Sequence, residues 1–193
     1  YKLRKKPEEV VRAARDAVRP GVTEHRVAAA GIAACMEAGA DFVRYLRVHS
    51  GPWGGWSQRW PQATGRVLQE GELVCLDLVG AYRGYQFDLL WTVPVGDPGS
   101  QERELLTVAR SALEAAVEQV RPGVTVASVV QAARTVVEKA GYGAHFTPFC
   151  GHGIGLETVE APLLVPDSQH VLEEGMVLCL EPGILIPGVR GAR

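Results

Sequence analysis

Apolar residues recur with helical and then with alternating spacing in two similar blocks of the chain. Each block is predicted to form a helix, a Pro-Gly turn, a second helix and then strands, with Thr23 and Thr125 capping the second helices. The predicted helices span 7–18, 24–39, 101–120 and 126–141, and the predicted strands lie near 42–48, 73–79, 85–95, 145–150, 176–180 and 184–186. Blocks of helices and antiparallel strands favour an α+β fold, with the helices stacked on one face of a sheet.

The two blocks also share sequence. Val18-Arg-Pro-Gly-Val-Thr23 recurs letter for letter as Val120-Arg-Pro-Gly-Val-Thr125, and Cys75-Leu-Asp77 is echoed by Cys179-Leu-Glu181. We therefore predict one domain over 1–193 with two pseudo-symmetric halves, about 1–96 and 97–193. The same repeat places the counterpart of Asp88 where the sequence stops, so we expect the domain to be truncated at its C-terminus and a further carboxylate to lie just after Arg193.

Composition narrows the function classes. The sequence has 193 residues, of which 47% are hydrophobic and 22% are charged, as in an ordinary globular protein. A formal net charge of −2 gives no electrostatic case for nucleic acid or an anionic membrane. No apolar run is long enough to span a bilayer, so we expect a cytoplasmic protein. The four cysteines form no CxxC pair, and we expect Cys75 and Cys179 to be reduced packing residues beneath nearby acids.

Two acids lie on neighbouring predicted strands. Asp77 is in LVCLDLVG and Asp88 is in YQFDLLWTV, and a hairpin with Tyr82 and Arg83 as its two-residue loop would place the carboxylates directly opposite each other. Opposed residues have Cβ atoms about 4.5–5.5 Å apart. Two buried acids at that distance must share a proton or bind a cation, so the pair indicates a metal site.

A histidine and a third acid extend this set. His152 lies between glycines in Cys150-Gly-His-Gly-Ile-Gly155, and Glu181 is the repeat counterpart of Asp77. A lone histidine is usually structural, but one that joins three acids favours a ligand role. Oxygen and nitrogen donors suit Mn²⁺, Co²⁺, Fe²⁺ or Zn²⁺.

An Asp followed by a second Asp eleven positions later, then Gly-His-Gly-Ile-Gly and then Leu-Glu-Pro-Gly, resembles the pita-bread metallopeptidase family. This family includes Xaa-Pro aminopeptidases, prolidases, methionine aminopeptidases and the metal-free creatinase. The resemblance implies a pita-bread fold and two divalent metals. Asp77 would bind one ion, Asp88 would bridge, His152 and Glu181 would bind the other ion, and a last glutamate would bridge again. It further implies cleavage of N-terminal Xaa-Pro bonds by metal-activated water, with His152 and Glu181 as the catalytic residues and Glu181 as the proton shuttle. The expected partners are a peptide or small-molecule substrate and, as one option, a second copy of the chain.

The sequence departs from the family at positions where the resemblance implies histidines that contact the substrate. Peptidase members carry histidines at the positions of Val159 and of residues 58–60, where this chain has none. Two alternatives therefore stay open: an enzyme of the same scaffold acting on a small non-peptide C–N or C–S substrate, and a non-catalytic binding module.

Six residues are predicted to line the substrate pocket. The loop before the second strand is rich in tryptophan, and its aromatic residues either pack against the helices or form a wall for an apolar or cationic ligand. Glu160 is either a solvated loop acid or a pocket residue. The six predicted substrate-binding residues are Trp53, Trp56, Arg59, Trp60, Val159 and Glu160.

Overall fold

Four α-helices form at the predicted places in the computed structural model, which describes residues 6–55 and 60–193. The second and fourth helices start where predicted because Thr23 Oγ1 accepts from the amide of Arg26 and Thr125 Oγ1 accepts from the amide of Ser128, both at 3.3 Å. The helices are α1 (Lys6–Ala17), α2 (Glu24–Glu37), α3 (Ser100–Gln119) and α4 (Val126–Lys139).

Three long antiparallel strands form the first sheet. They are β1 (Phe42–Ser50), β2 (Leu73–Tyr82) and β3 (Tyr85–Pro94), in the order β1-β2-β3. A short 3₁₀ helix, Gly51–Trp53, follows β1. Nine of the ten residues of β2 are buried, because this central strand is covered by strands on both edges and by helices on one face. All three strands lie where the sequence predicts them.

The second half has shorter strands, and one prediction there is wrong. The sequence predicts a strand at 145–150, but the chain forms a 3₁₀ helix at Gly143–His145 and only an isolated bridge from Phe146 to Ile184. Pro148 has no amide hydrogen to donate to a ladder, so pairing resumes only after it. The strands are β4 (Gly151–Gly153), β5 (Glu160–Leu163), β6 (Leu178–Leu180), β7 (Ile184–Ile186) and β8 (Arg190–Ala192), arranged as a β5-β4-β6 sheet and a β7-β8 hairpin. The sequence did not predict β4, β5 or β8.

Each half packs its own apolar core. One core joins α1 and α2 to the first sheet, and the other joins α3 and α4 to the strands of the second half. Corresponding isolated β-bridges occur in the two halves. The N-cap residue of α2, Thr23, pairs with Val67, and the N-cap residue of α4, Thr125, pairs with Val171. Within the described residues, no helix has both the length and the apolar character needed to cross a membrane.

Candidate metal centre

The hairpin of β2 and β3 presents Asp77 and Asp88 on one face of the first sheet. The predicted register is wrong by two residues: Asp77 pairs with Leu90, and Asp88 pairs with Val79. The carboxylates are therefore diagonal neighbours, for which spacings are about 7–8 Å, rather than direct partners.

The turn explains the shift in register. Its central residues are Arg83 and Gly84, with φ of 53° and 80°. Two successive positive φ values match a type I′ turn, and glycine adopts such a conformation without steric cost. Asp41 Oδ2 also accepts a hydrogen bond of 2.8 Å from the Gly84 amide. These local preferences place the loop one residue later than predicted.

His152 lies in the middle of β4, where the flanking glycines permit close strand contact. A Cβ atom at Gly151 would lie 2.0 Å from the carbonyl oxygen of Cys179, and one at Gly153 would lie 2.4 Å from that of Ala161. Only glycine fits at either position. The backbone of β6 thus comes close enough to bring Glu181 beside His152.

Three side chains converge at this point. His152 Nε2 lies 3.5 Å from Asp88 Oδ2 and 3.4 Å from Glu181 Oε1. The donor atoms of these three residues all lie within 4.8 Å of one another, and the side chains of His152, Asp88 and Glu181 are 3%, 8% and 11% exposed. The other ring nitrogen, Nδ1, donates to the carbonyl of Gly153 at 2.8 Å, which orients the Nε2 lone pair toward the acids. Two carboxylates and a neutral imidazole fit a divalent ion such as Mn²⁺ or Zn²⁺.

In the metal-free protein, the pKa values of all three side chains in this cluster are shifted from their usual values. Burial opposes the charged form of His152, but its contacts with Asp88 and Glu181 outweigh that effect and raise its pKa to about 10. Burial raises the pKa of Asp88. Burial also acts to raise the pKa of Glu181, but His152 and then Arg193 more than offset it, so this pKa lies below its usual range. In the absence of metal, a proton on His152 compensates the two acids.

Asp77 lies next to this cluster but has a different partner. Its Oδ2 atom accepts a hydrogen bond of 2.9 Å from Arg47 Nη1, and the two residues are direct cross-strand partners on β1 and β2. Burial, followed by repulsion from Asp88, raises the pKa of Asp77 to about 7, although Arg47 opposes the shift. The structure therefore brings three of the four predicted ligands together and pairs the fourth with a guanidinium.

A second arginine also contacts the site. Arg193 Nη2 lies 3.6 Å from Glu181 Oε2, and its Nε donates to the main-chain carbonyl of Glu181 at 2.8 Å. Sequence reasoning missed the roles of both Arg193 and Arg47. The sequence places Arg47 in the predicted strand at 42–48, but its position opposite Asp77 depends on the register of β1 against β2, which the sequence does not specify.

The predicted cysteine roles agree with the structure. Cys75 is 1% exposed, and burial raises the pKa of its thiol and of the Cys179 thiol to about 12. Thiols with such pKa values are neutral near pH 7. Cys179 donates a long contact of 3.7 Å from Sγ to the Asp88 carbonyl, so it packs beneath the cluster as a neutral group.

The predicted substrate residues that the structure describes are more exposed than the acid–histidine cluster. The exposed fractions of Trp53, Trp60 and Val159 are 36%, 71% and 53%. Glu160 is half-buried at the start of β5 and accepts a 2.7 Å hydrogen bond from the Glu157 amide, so its carboxylate stabilises the loop after His152. Trp56 and Arg59 lie outside the described residues.

Comparison with known proteins identifies the family. Residues 4–193 match metallopeptidase family M24, and the chain belongs to this family. Membership implies a divalent metal, and the resemblance inferred from the motifs is confirmed. Among its relatives are the Xaa-Pro dipeptidases of Lactobacillus helveticus, 36% identical over 192 residues, covering 92% of this chain and 48% of the relative, and of Pyrococcus furiosus, 38% identical over 131 residues, covering 68% and 38%.

Solved structures show the same fold. The dipeptidase PepE from Mycobacterium ulcerans matches with a TM-score of 0.92 and 38% identity, covering 97% of this chain and 50% of that one. The prolidase from Pyrococcus furiosus matches with a TM-score of 0.92 and 33% identity, covering 98% and 56%. The predicted α+β pita-bread fold is confirmed. The chain spans about half the length of these relatives.

Proposed function

We propose that this chain carries the catalytic centre of a metal-dependent peptidase that cleaves N-terminal Xaa-Pro bonds. The observation that carries the proposal is the convergence of Asp88, His152 and Glu181 within 4.8 Å in a chain of metallopeptidase family M24. The names of its relatives, Xaa-Pro dipeptidase and prolidase, support this substrate class.

The metal would be held by one oxygen each of Asp88 and Glu181 and by Nε2 of His152. These donors suit Mn²⁺, Co²⁺, Fe²⁺ or Zn²⁺. When bound, such an ion polarises a carbonyl oxygen and lowers the pKa of a water molecule. The hydrogen bond from Nδ1 to Gly153 keeps the imidazole in the tautomer that has a free lone pair at Nε2.

Glu181 is the residue best placed to move a proton. In the metal-free chain, contacts with His152 and then Arg193 hold its pKa below the usual range despite burial. Arg193 still faces the carboxylate when an ion is bound, which favours the ionised form that can accept a proton. A water molecule that adds to the scissile carbonyl carbon would give this proton to Glu181, and its transfer to the proline nitrogen as the C–N bond breaks would complete the hydrolysis. Arg193 fixes the backbone and the side chain of Glu181 from one direction, which limits the loss of orientation during the transfer.

A second candidate is hydrolysis or elimination of a small non-peptide C–N or C–S substrate on the same centre. The observation that favours it concerns the two positions where the resemblance implies a substrate-side histidine. Neither Val159 nor any of residues 58–60 is a histidine. Val159 stands at one of them, half-exposed and apolar, and His49 is buried with its Nε2 3.2 Å from the carbonyl of Pro61. A peptide carbonyl would therefore lack side-chain donors that typically contribute about 10²–10³ in rate.

The experiment is a substrate panel on the Mn²⁺-loaded chain, with Asp88→Asn as the matched inactive control. Xaa-Pro dipeptides are compared with guanidino and sulfonium compounds by mass spectrometry of the products. Cleavage of the dipeptides that is lost in Asp88→Asn supports the proposal. Turnover of only the small cationic compounds supports the second candidate. Tight Mn²⁺ binding without turnover of any compound argues against both and favours a non-catalytic binding module.

A further inference from the structure

Arg47 places a positive charge beside the Asp77 carboxylate, where the two-metal arrangement would place an ion. The two residues are direct partners across β1 and β2, so the strand register itself brings the guanidinium to the carboxylate. Their N–O distance is 2.9 Å, and the side chains of Arg47 and Asp77 are 15% and 5% exposed. This is a buried ion pair, and removing either partner would leave an uncompensated charge inside the protein.

The orientation of Arg47 is further restricted by its own strand. Tyr45, two residues earlier and on the same face of β1, places its ring 3.9 Å below the guanidinium carbon. Arg47 Nε is buried and has no hydrogen-bond partner among the described residues, so the polar contact of this side chain is directed at Asp77. The guanidinium is packed between an aromatic face and a carboxylate.

The charges around the centre then limit how many metal ions it can hold. Among the described residues, Asp77, Asp88 and Glu181 supply the carboxylates of this centre, and two of these three already face the guanidinium groups of Arg47 and Arg193. One dication at the cluster of Asp88, His152 and Glu181 already exceeds the single negative charge that the two guanidinium groups leave uncompensated among these three carboxylates. A second dication beside Asp77 would stand next to the Arg47 guanidinium in a buried site, where repulsion between like charges is poorly screened.

We propose that Arg47 takes the place of a second metal ion, so that this centre holds one divalent ion and Asp77 is a partner of Arg47 rather than a metal ligand. This inference rests on the proposed metal site at Asp88, His152 and Glu181. It differs from the two-metal arrangement that the sequence resemblance implies. Arg47 is then a positioning residue, because it orients Asp77 and sets the charge of the centre without itself touching the metal.

Metal counting tests the inference directly. The full chain is saturated with Mn²⁺, freed of excess metal by gel filtration, and analysed for Mn²⁺ per chain, with electron paramagnetic resonance as an independent readout. We expect one ion per chain and the six-line signal of isolated Mn²⁺. Arg47→Leu is expected to bind a second, weaker ion and to show exchange coupling between the ions. Arg44→Leu, the same change at an exposed residue of β1, is the matched control and is expected to keep one ion.

A second variant addresses Asp77 in case Arg47→Leu fails to fold. Asp77→Asn should retain one tightly bound Mn²⁺, with a dissociation constant within about threefold of the original. Loss of the ion in Asp77→Asn, or two tight ions in the unaltered chain, would overturn the inference, as would a single ion in a folded Arg47→Leu variant. Two ions together with Xaa-Pro cleavage would overturn only the inference. No bound ion in any of the proteins would overturn the proposed function as well.

Discussion

Arg193 contacts Glu181 twice: its Nε donates to the main-chain carbonyl at 2.8 Å, and its Nη2 lies 3.6 Å from the carboxylate oxygen Oε2. A single guanidinium thus fixes both the backbone and the side chain of a proposed metal ligand. The amide of Arg193 in turn donates to Thr92 Oγ1 on β3 at 2.9 Å, which ties the chain after β8 to the first sheet. This contact connects the two halves of the protein at the metal centre.

Arg193→Leu is expected to weaken Mn²⁺ binding by about 10- to 100-fold, a typical cost of removing a group that orients a ligand. The dissociation constant from titration calorimetry measures the effect. Arg190→Leu is the matched control on the same segment, because Arg190 pairs with Glu102 rather than with Glu181. Equal losses in the two variants would show that Arg193 acts only through general stability.

Asp88→Asn is expected to abolish tight metal binding while the fold survives. The substitution is isosteric, and in the metal-free chain Glu181 still faces the protonated His152 at 3.4 Å, so the fold should survive the loss of the Asp88 charge. Elemental analysis reports the metal content, and circular dichroism reports the fold. A full complement of metal in this variant would contradict the assignment of Asp88 as a ligand.

The metal-free protein should lose stability as pH rises above neutrality. The pKa of His152 is raised from 6.5 to about 10 in the folded state, so the folded protein holds a proton that the unfolded chain releases. The stabilisation is fully present below pH 6.5 and is lost as pH rises through about 10, with a slope of at most about 1.4 kcal/mol per pH unit. Urea unfolding in EDTA across this range should show the decline, and His152→Gln should flatten it.

Glu24→Val is expected to loosen the loop at 51–63. The Glu24 carboxylate is fully buried and accepts hydrogen bonds from the amide and hydroxyl groups of both Ser50 and Thr64, the residues on either side of that loop. The corresponding residue after the cap of α4 is Val126, also fully buried, so this helix position does not itself require an acid. Leaving the donors unpaired should cost about 2–4 kcal/mol.

Tryptic digestion provides a local readout for Glu24→Val. Arg59 supplies a cleavage point within the loop, and cleavage after Arg59 should become faster than cleavage elsewhere. Glu37→Val, at the exposed end of the same helix, is the control and should leave the digestion pattern unchanged. Uniformly faster cleavage at all sites would indicate global unfolding instead of a role specific to the loop.

Val159→His is expected to raise Xaa-Pro cleavage by about 10-fold or more, because it introduces an imidazole donor at the position where the resemblance implies one. Val159 is 53% exposed, so the larger side chain can be accommodated. The value of kcat/KM on an Xaa-Pro dipeptide measures the effect, with Val189→His, at a residue 48% exposed, as the control. High dipeptidase activity in the unaltered chain would show that the imidazole is dispensable and would rule out the non-peptide alternative.

The sequence alone determined the four helices and the three long strands of the first sheet, and it predicted the donors of a metal site. Thr23 and Thr125 marked the helix starts because capping is a local interaction between a hydroxyl and nearby amides. The β2 and β3 segments were recognisable because burial leaves a run of apolar residues. His152 stood out because it lies between glycines, which leave little side-chain bulk near the imidazole, and because three acids accompany it. The structure gives the reason for these glycines, since a Cβ atom at either would lie 2.0 or 2.4 Å from a carbonyl oxygen of a neighbouring strand.

Only the tertiary structure decided how these parts meet. A hairpin shifted by two residues presents the same side chains to each face, so the apolar pattern could not distinguish Asp77 opposite Asp88 from Asp77 opposite Leu90. The turn at Arg83 and Gly84 selected the register. Likewise, the partner of Asp77 depended on which residue of β1 lies across from it, a long-range pairing that no local signal specifies. That pairing placed Arg47 beside Asp77 and left Asp88, His152 and Glu181 as the converging donors.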